Sequence, residues 1–511
     1  MMAVPRADEI DMSSGDPADR ALIGHVHPPD WENPAGGEPY NLVVLGGGTA
    51  GLVCAMGAAG LGARVALVER HLLGGDCLNT GCVPSKAILR SARAVGELAN
   101  AATLGITVGT TAVDFAAVMR RMRERRASIA ENDAAARLRQ AGVDVFFGEG
   151  RFAGPRTVIV GSQRLRFSRA VIATGGRPTA PPIPGLDEVA FFTSETIFAL
   201  TTLPRRLLII GAGPIGCELA QAFARFGSAV TVFDQSPRIL THDDADAGTV
   251  VQRHLETDGV SLELGVRLER VDSARGEVAV CFRRAGEDEG TPMRIVGDAV
   301  LVAAGRAPNI EGMELDAAGI EAAKAGVVVD DRLQTTNRRV YASGDVCSAY
   351  KFTHAADALS RVVLQNALFF GRRKASALVI PWVTYTDPEV AHVGVSRADV
   401  EASEGRLQTI TVDLADVDRA VVDDETDGFV RVHHARGVIR GCTIVARHAG
   451  EMIGEGVYAM THHGTLGQLS ATVHPYPTQA EAFRKAGDAY RRERLTPGVR
   501  RWLGRYFRWT R

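Results

Sequence analysis

The chain has 511 residues, 46% hydrophobic and 23% charged, with 55 glycines and a formal net charge of −2; this length exceeds one ordinary core and implies about three or four domains. The near-neutral total hides a basic end, because residues 491–511 carry eight Arg and one Glu, a local +7 that leaves about −9 elsewhere and excludes a nucleic-acid footprint on the bulk of the protein. Seven Cys, an odd number, follow an N-terminus that has acids and no apolar core, which argues against a secreted disulfide scaffold and places the protein in the cytoplasm.

Residues 1–39 are polar and Pro-rich and read as an extended leader that wraps the first domain. From Tyr40 the stretches YNLVVL, GGGTAG, LVCAMGAAGLG and ARVALVER give strand, glycine turn, helix and strand, one βαβ unit. The uncharged run 39–63 is too glycine-rich for a bilayer helix. Next comes GGDCLNTGCVPSK, followed by the basic helical stretch 115–140, whose charges are assigned to a solvated face. A second βαβ unit occupies 206–234, then the strand-like runs VLVAAGRAPN and VYASGDV. From Pro381 alternating strands such as GFVRVHH and GVIRGCTIVA, and then helices, signal a C-terminal α+β domain.

Gly46, Gly48 and Gly51 sit at a strand-to-helix turn, where backbone N–H groups can approach a pyrophosphate. Glu69 ends the next strand 21 residues after Gly48, where a carboxylate can accept from an adenosine ribose. Gly211, Gly213 and Gly216 repeat the turn, and Asp234 repeats the carboxylate. Asp234 favours a free 2′-hydroxyl over a 2′-phosphate and hence NADH over NADPH, a preference that nearby Arg238 can soften.

Cys77 and Cys82 are separated by four residues at the start of a helix. Two Cys without further ligands do not make a zinc site, so no metal site is assigned and a dithiol/disulfide pair is the better reading. The helix N-terminus and Lys86 one turn on favour a thiolate at Cys82. Cys54, Cys217, Cys347 and Cys442 read as packing residues.

In the order GGGTAG, GGDCLNTGCVPSK, ATGGRP, GAGPIGCE, VAAGRAPN and ASGDV, the chain resembles the class I pyridine-nucleotide disulfide oxidoreductases over about residues 40–490. These are the flavoproteins that include dihydrolipoamide dehydrogenase, glutathione reductase and mercuric reductase. The resemblance implies an α/β fold with two Rossmann-like dinucleotide-binding domains, for FAD and NAD(P), plus a C-terminal α+β dimerisation domain. The corresponding boundaries are a leader at 1–39, an FAD domain at 40–190 and 311–375, an NAD(P) domain at 191–310, a dimerisation domain at 376–490 and a basic aromatic tail at 491–511. FAD is then expected on Gly46–Gly51 with Glu69 at its ribose, Asp345 at its ribityl or pyrophosphate region, and Thr174, Gly175 and Gly305 against the cofactors. Cys82 takes the place of the thiol facing the flavin, Cys77 that of the thiol attacking substrate, and Lys86 and Glu218 that of an ion pair beside the flavin. Pro214 stands where glutathione reductases have a Tyr lid.

The family's HPTxSE segment corresponds to VHPYPTQAEAF, residues 473–483. Alignment on Glu481 and the pair 477–478 puts Tyr476, not His474, at the base position, the register of mercuric reductases; the Tyr476–Pro477 bond is expected to be cis. Ordinary Tyr and His pKa values differ by roughly 3.5 units, about 5 kcal/mol, so Tyr476 is expected to donate a hydrogen bond or orient a ligand rather than act as a resting base. His474 stays a candidate. The expected activity is electron transfer from NAD(P)H through flavin and Cys77–Cys82 to Hg(II) or a small disulfide in a homodimer, the C-terminal segment reaching the other subunit's dithiol. The alternatives are dihydrolipoamide dehydrogenase and a membrane-associated flavoprotein reducing a quinone or protein acceptor. No Cys follows Cys442, so the vicinal C-terminal pair of mercuric reductases is missing. In the tail, Val499, Trp502, Leu503 and Tyr506 share one helical face and Arg501, Arg505 and Arg508 another, fitting either an interfacial helix on the inner face of a membrane or a helix docked on the protein.

Overall fold

The computed structural model describes residues 15–274, 276–284 and 292–511. The chain separates into two compact units, Met1–Pro237 with Asp258–Leu378, and Arg238–Thr257 with Val379–Arg511.

The first unit begins with helix α1 (Pro17–Val26), so the leader is not extended throughout. Asp16 caps it by accepting from the Ala18 N–H, Pro17 occupies the first turn where no N–H is needed, and Leu22 and Val26 are buried. Strand β1 (Tyr40–Leu45), helix α2 (Thr49–Gly60) and strand β2 (Val65–Glu69) follow, with β1 and β2 parallel and Leu45 opposite Val68. Helix α3 (Cys82–Ala99), helix α4 (Phe115–Ala130), strand β3 (Val143–Phe147) and strand β4 (Gln163–Ile172) complete the first half. Strand β3 pairs with β2 and β4 with β1, all parallel. Alternate residues enter two cores: Leu42, Val44, Val65 and Leu67 join Leu22 and Val26, while Val43, Leu45, Ala66 and Val68 face the opposite side. A parallel sheet covered on both faces requires such near-continuous apolar strands.

One expectation fails on α4. Arg123 and Arg126, assigned to a solvated face, are 6% and 5% exposed. Their charge is matched by Asp19 of α1, 2.7 Å from an Arg126 nitrogen and 3.6 Å from Arg123 Nε. A basic run carries no mark of which of its charges meets a buried acid supplied from elsewhere in the chain.

Strand β5 (Arg206–Ile210), helix α5 (Pro214–Phe226) and strand β6 (Ala229–Asp234) repeat the motif. With strand β7 (Ser261–Leu264) and strand β8 (Ala299–Val302) they form a four-stranded parallel sheet, β7-β6-β5-β8. The segment expected as a separate NAD(P) domain thus has its own sheet within the first unit. Its helix 245–257 belongs to the second. The chain returns to the first sheet through strand β9 (Val340–Ala342), parallel to β4, and continues into helix α6 (Thr353–Leu368).

In the second unit an antiparallel sheet runs in the order 381–384, 389–394, 438–446, 429–435, 408–413. Its core includes Val393, Val432, Ile444 and Phe483. Arg431 is buried against Asp244, 2.8 Å away, which ties the segment 238–257 to this sheet. Helix α7 (Ala449–Thr461), helix α8 (Glu481–Glu493) and helix α9 (Pro497–Trp509) follow the strands.

Candidate active site

The two βαβ halves build the same device. Parallel register sets Leu45 beside Val68 and Ile210 beside Phe233, so Glu69 and Asp234 emerge next to their glycine turns. Glu69 accepts from the Gly47 N–H at 2.6 Å and the His71 N–H at 2.7 Å. Asp234 accepts from the Ala212 N–H at 2.7 Å and the Ser236 N–H at 2.8 Å. A Cβ on Gly51 would stand 1.8 Å from the Gly46 carbonyl oxygen, and one on Gly216 1.9 Å from that of Gly211, so only glycine lets helix and turn close together. Burial holds Glu69 above the usual carboxylate range.

Between the C-terminal ends of the first-sheet strands lies a cavity of about 120 Å³ whose lining includes Gly46, Glu69, Gly148, Thr174, Asn309 and Met313. Thr174 Oγ1 donates to the Asn309 carbonyl at 2.7 Å, and Gly175 follows in left-handed backbone. Asp345, three residues past β9, is pushed up by burial, and Arg306 stands 3.6 Å from it. The same guanidinium pairs with Asp76 beside Cys77. Gly305 precedes Arg306 at an exposed turn. A glycine turn at a helix N-terminus, a strand-end carboxylate and a cleft bounded by Thr174 fit the pyrophosphate and ribose of FAD.

Cys82 is exposed at the first position of α3, and Cys77 is half-buried on the preceding short helix 75–79. The Cys82 thiol is lowered to about 6: a hydrogen bond from Cys77 stabilises its thiolate first, then Thr353, then the charge of Lys86. Cys77 is held well above the ordinary thiol range by the same bond and by burial. Thr353 Oγ1, at the start of α6, lies 3.4 Å from Cys82 Sγ. Lys86 Nζ donates to Glu218 Oε2 at 2.9 Å, joining α3 to α5.

In the second unit His474 and Tyr476 face different surroundings. The His474 side chain is 5% exposed; its Nε2 lies 3.0 Å from Glu455 Oε1 and its Nδ1 3.2 Å from the Thr472 carbonyl, so both ring nitrogens meet acceptors. Tyr476 is 70% exposed and donates to Asp418 Oδ2 at 3.0 Å. That bond, with Glu481 adding to it, raises the phenol above its ordinary value. The Tyr476–Pro477 bond is cis. Glu481 is buried at the start of α8, paired with Arg484, and its Oε2 has no hydrogen-bond partner among the described residues.

Residues 40–359 match the family described as pyridine nucleotide-disulphide oxidoreductase, and 380–487 match its dimerisation domain. The chain belongs to that family. It is an FAD-dependent oxidoreductase that uses NAD(P)H, and its dimerisation domain supports a homodimer. It is 34% identical to a mercuric reductase of Bacillus cereus over 457 residues, covering 89% of this chain and 72% of that protein. It is 28% identical to the dihydrolipoyl dehydrogenase of Bacillus subtilis (strain 168) over 467 residues, covering 88% and 97%. Among solved structures, the Cu(II) complex of the HOCl-induced flavoprotein disulfide reductase RclA from Escherichia coli is 26% identical, covers 89% of this chain and 100% of that one, and has a TM-score of 0.78. Among the described residues, no helix is long and apolar enough to cross a membrane.

Sequence reasoning missed three contributors. Thr353 follows no motif. Arg306 lies inside VAAGRAPN, where the glycine rather than the Arg marks the motif. Asp76 sits beside Cys77 in GGDC, where the cysteine is the residue with an evident chemistry. Glu195, pushed up to about 7 by burial and then by Asp76, belongs to the same charged group.

Proposed function

We propose that this enzyme takes electrons from NADH or NADPH and passes them through Cys77 and Cys82 to a thiophilic metal ion such as Hg(II), or to a small disulfide. One observation carries the reading: an exposed Cys82 lies just after Cys77, 3.4 Å from Thr353 Oγ1 and one turn from the Lys86–Glu218 pair, surroundings that lower its thiol. FAD, when bound on the Gly46–Gly51 turn, supplies two-electron transfer between nicotinamide and the cysteine pair. Glu69 and Asp345 hold its ribose and its ribityl or pyrophosphate region, and Asp234 favours NADH over NADPH. Lys86 keeps positive charge beside Cys82, while Glu218 fixes its ammonium in place. Tyr476, exposed and hydrogen-bonded, presents a hydroxyl that orients a metal-bound ligand at the dithiol of the second subunit, whereas His474 is held by Glu455 and Thr472. The mercuric reductase relatives and the Cu(II) complex of RclA favour a metal-ion acceptor.

Anaerobic NADH titration is expected to produce a long-wavelength thiolate-to-flavin band that is absent in Cys82→Ser. A native enzyme that never shows the band overturns the dithiol mechanism. Turnover with Hg(II), Cu(II), lipoamide, glutathione disulfide and a quinone then orders the acceptors, and lipoamide as the preferred substrate would return His474 to the role of base.

A peripheral membrane contact is favoured by one feature of the tail: α9 buries none of its residues, and Trp502 and Trp509 are 64% and 82% exposed beside Arg501, Arg505 and Arg508. Near an anionic surface each Arg contributes about 1 kcal/mol. Truncation after residue 495 is expected to abolish cosedimentation with anionic liposomes; unchanged binding would dismiss this role.

A further inference from the structure

We propose that the amino-terminal segment 16–33 is a positioning strap for the redox loop, and that Asp19 acts on the cysteine pair through Arg126. The inference rests on the dithiol reading above.

Arg126 reaches both ways from α4. One terminal nitrogen is 2.7 Å from Asp19 Oδ1, and the other donates at 2.8 Å to the carbonyl of Asn79, which lies between Cys77 and Cys82. Asn79 is itself buried, and its amide donates to the carbonyls of Leu73 at 3.1 Å and Gly75 at 2.8 Å. The strap also grips that approach directly. The Val26 carbonyl accepts from the Leu73 N–H at 3.2 Å, and His27 Nδ1 donates to the His71 carbonyl. Three contacts therefore converge on residues 71–79, the stretch that joins Glu69 to Cys77.

Farther along, the strap is anchored to the edge strand β3. Trp31 Nε1 donates to the Val145 carbonyl at 3.2 Å, and the Asn33 amide exchanges two 2.8 Å bonds with the backbone of Phe147. His27 stacks on the Phe147 ring at 3.9 Å. These bonds hold α1 against α4 with Asp19 facing two buried guanidinium groups, where an unmatched charge is costly. A purely solubilising leader needs no buried acid. Here the acid fixes a side chain of α4 that bonds to the backbone between the two cysteines.

Cys82 owes its low thiol pKa first to a hydrogen bond from Cys77, an interaction sensitive to loop geometry. Releasing the Asn79 carbonyl is expected to weaken that bond and to raise the apparent Cys82 pKa. Asp19→Asn removes the charge and keeps the shape. Arg126→Lys keeps the charge and gives up simultaneous reach to Asp19 and Asn79. Arg123→Lys is the control, because Arg123 meets Asp16, Asp19 and the Leu200 carbonyl but not the loop.

The readout is the pH dependence of iodoacetamide alkylation at Cys82 in the reduced, FAD-loaded full chain, followed by mass spectrometry and, in parallel, by the midpoint of the long-wavelength band. Asp19→Asn and Arg126→Lys are each expected to raise the apparent pKa by about one unit, slowing alkylation several-fold at pH 6.5 with FAD content unchanged, while Arg123→Lys leaves it in place. An unshifted pKa in Arg126→Lys overturns the inference even if the melting temperature falls. An equal shift in Arg123→Lys also overturns it, by showing general loosening. If Asp19→Asn does not fold, Arg126→Lys decides alone. Alkylation tests the strap even where the native enzyme lacks the band, so failure of the dithiol reading remains distinguishable.

Discussion

The cysteine loop and the segment 473–483 illustrate two ways of presenting a reactive group. The loop is completed within its own unit: Cys82 receives a hydrogen bond from Cys77, contact from Thr353 and charge from Lys86, and its thiol is lowered to about 6. The C-terminal segment turns one candidate inward and the other out. His474 is held by Glu455 and Thr472, while Tyr476 projects, hydrogen-bonded to Asp418, with a phenol raised rather than lowered. A nucleophile must be tuned before substrate arrives. A group proposed to orient substrate for another subunit must stay reachable.

Acid should separate the two units that carry these regions most strongly. His433, fully buried in the second unit with Thr409 Oγ1 2.8 Å from its Nδ1, is lowered to about 4 by burial, with Arg431 and His392 adding to the effect and Asp244 and Asp399 opposing it. The unfolded chain protonates near 6.5, so between 6.5 and 4 protons bind the unfolded state preferentially. Stability is full above that window and falls by about 3 kcal/mol across it. Denaturant midpoints measured from pH 7.5 to 4 should show this slope in the parent and a shallower one in His433→Gln; equal slopes would remove His433 as the cause. The dithiol should fail first, its band fading as the pH drops through about 6 and Cys82 takes up a proton.

Next in size is the choice between Tyr476 and His474. Tyr476→Phe is expected to lower kcat with a metal-ion acceptor about thirtyfold, less than the roughly hundredfold or more of a full proton-transfer group, because the hydroxyl orients rather than titrates. His474→Ala should cost less than about threefold, and the reverse order would make the C-terminal segment a disulfide-reductase base after all.

The smallest effect is expected at Lys86. Lys86→Met removes a charge that ranks behind two hydrogen bonds at Cys82, so the midpoint of the thiolate band should rise by about one unit, equivalent to about 1.4 kcal/mol. A band that stays in place would show that hydrogen bonding alone tunes the cysteine.

Much of the site is legible along the chain because βαβ geometry is local. A glycine turn, one helix and one parallel strand leave a carboxylate beside the turn 21 residues on, as at Glu69 and at Asp234. Cys82 and Lys86 are one turn apart on α3, and Cys77 lies on the short helix just before it. The leader was legible only as polar sequence, because the buried apolar face of α1 amounts to little more than Leu22 and Val26 and its buried acid pairs with Arg123 and Arg126, more than a hundred residues away. The basic stretch on α4 misled for the same reason.

By itself the sequence determined the α/β class, the two glycine turns with their strand-end carboxylates and the closeness of Cys77 to Cys82, since each depends on residues within about one supersecondary unit of one another. Tertiary structure alone decided the rest. It brought Thr353 to Cys82 across 271 residues, Arg306 to Asp76 across 230 and Arg126 to Asp19 across 107. It also turned His474 toward Glu455 and left Tyr476 exposed. Hydrogen bonds and buried ion pairs select partners by position in space, and a chain records that position only once it is packed.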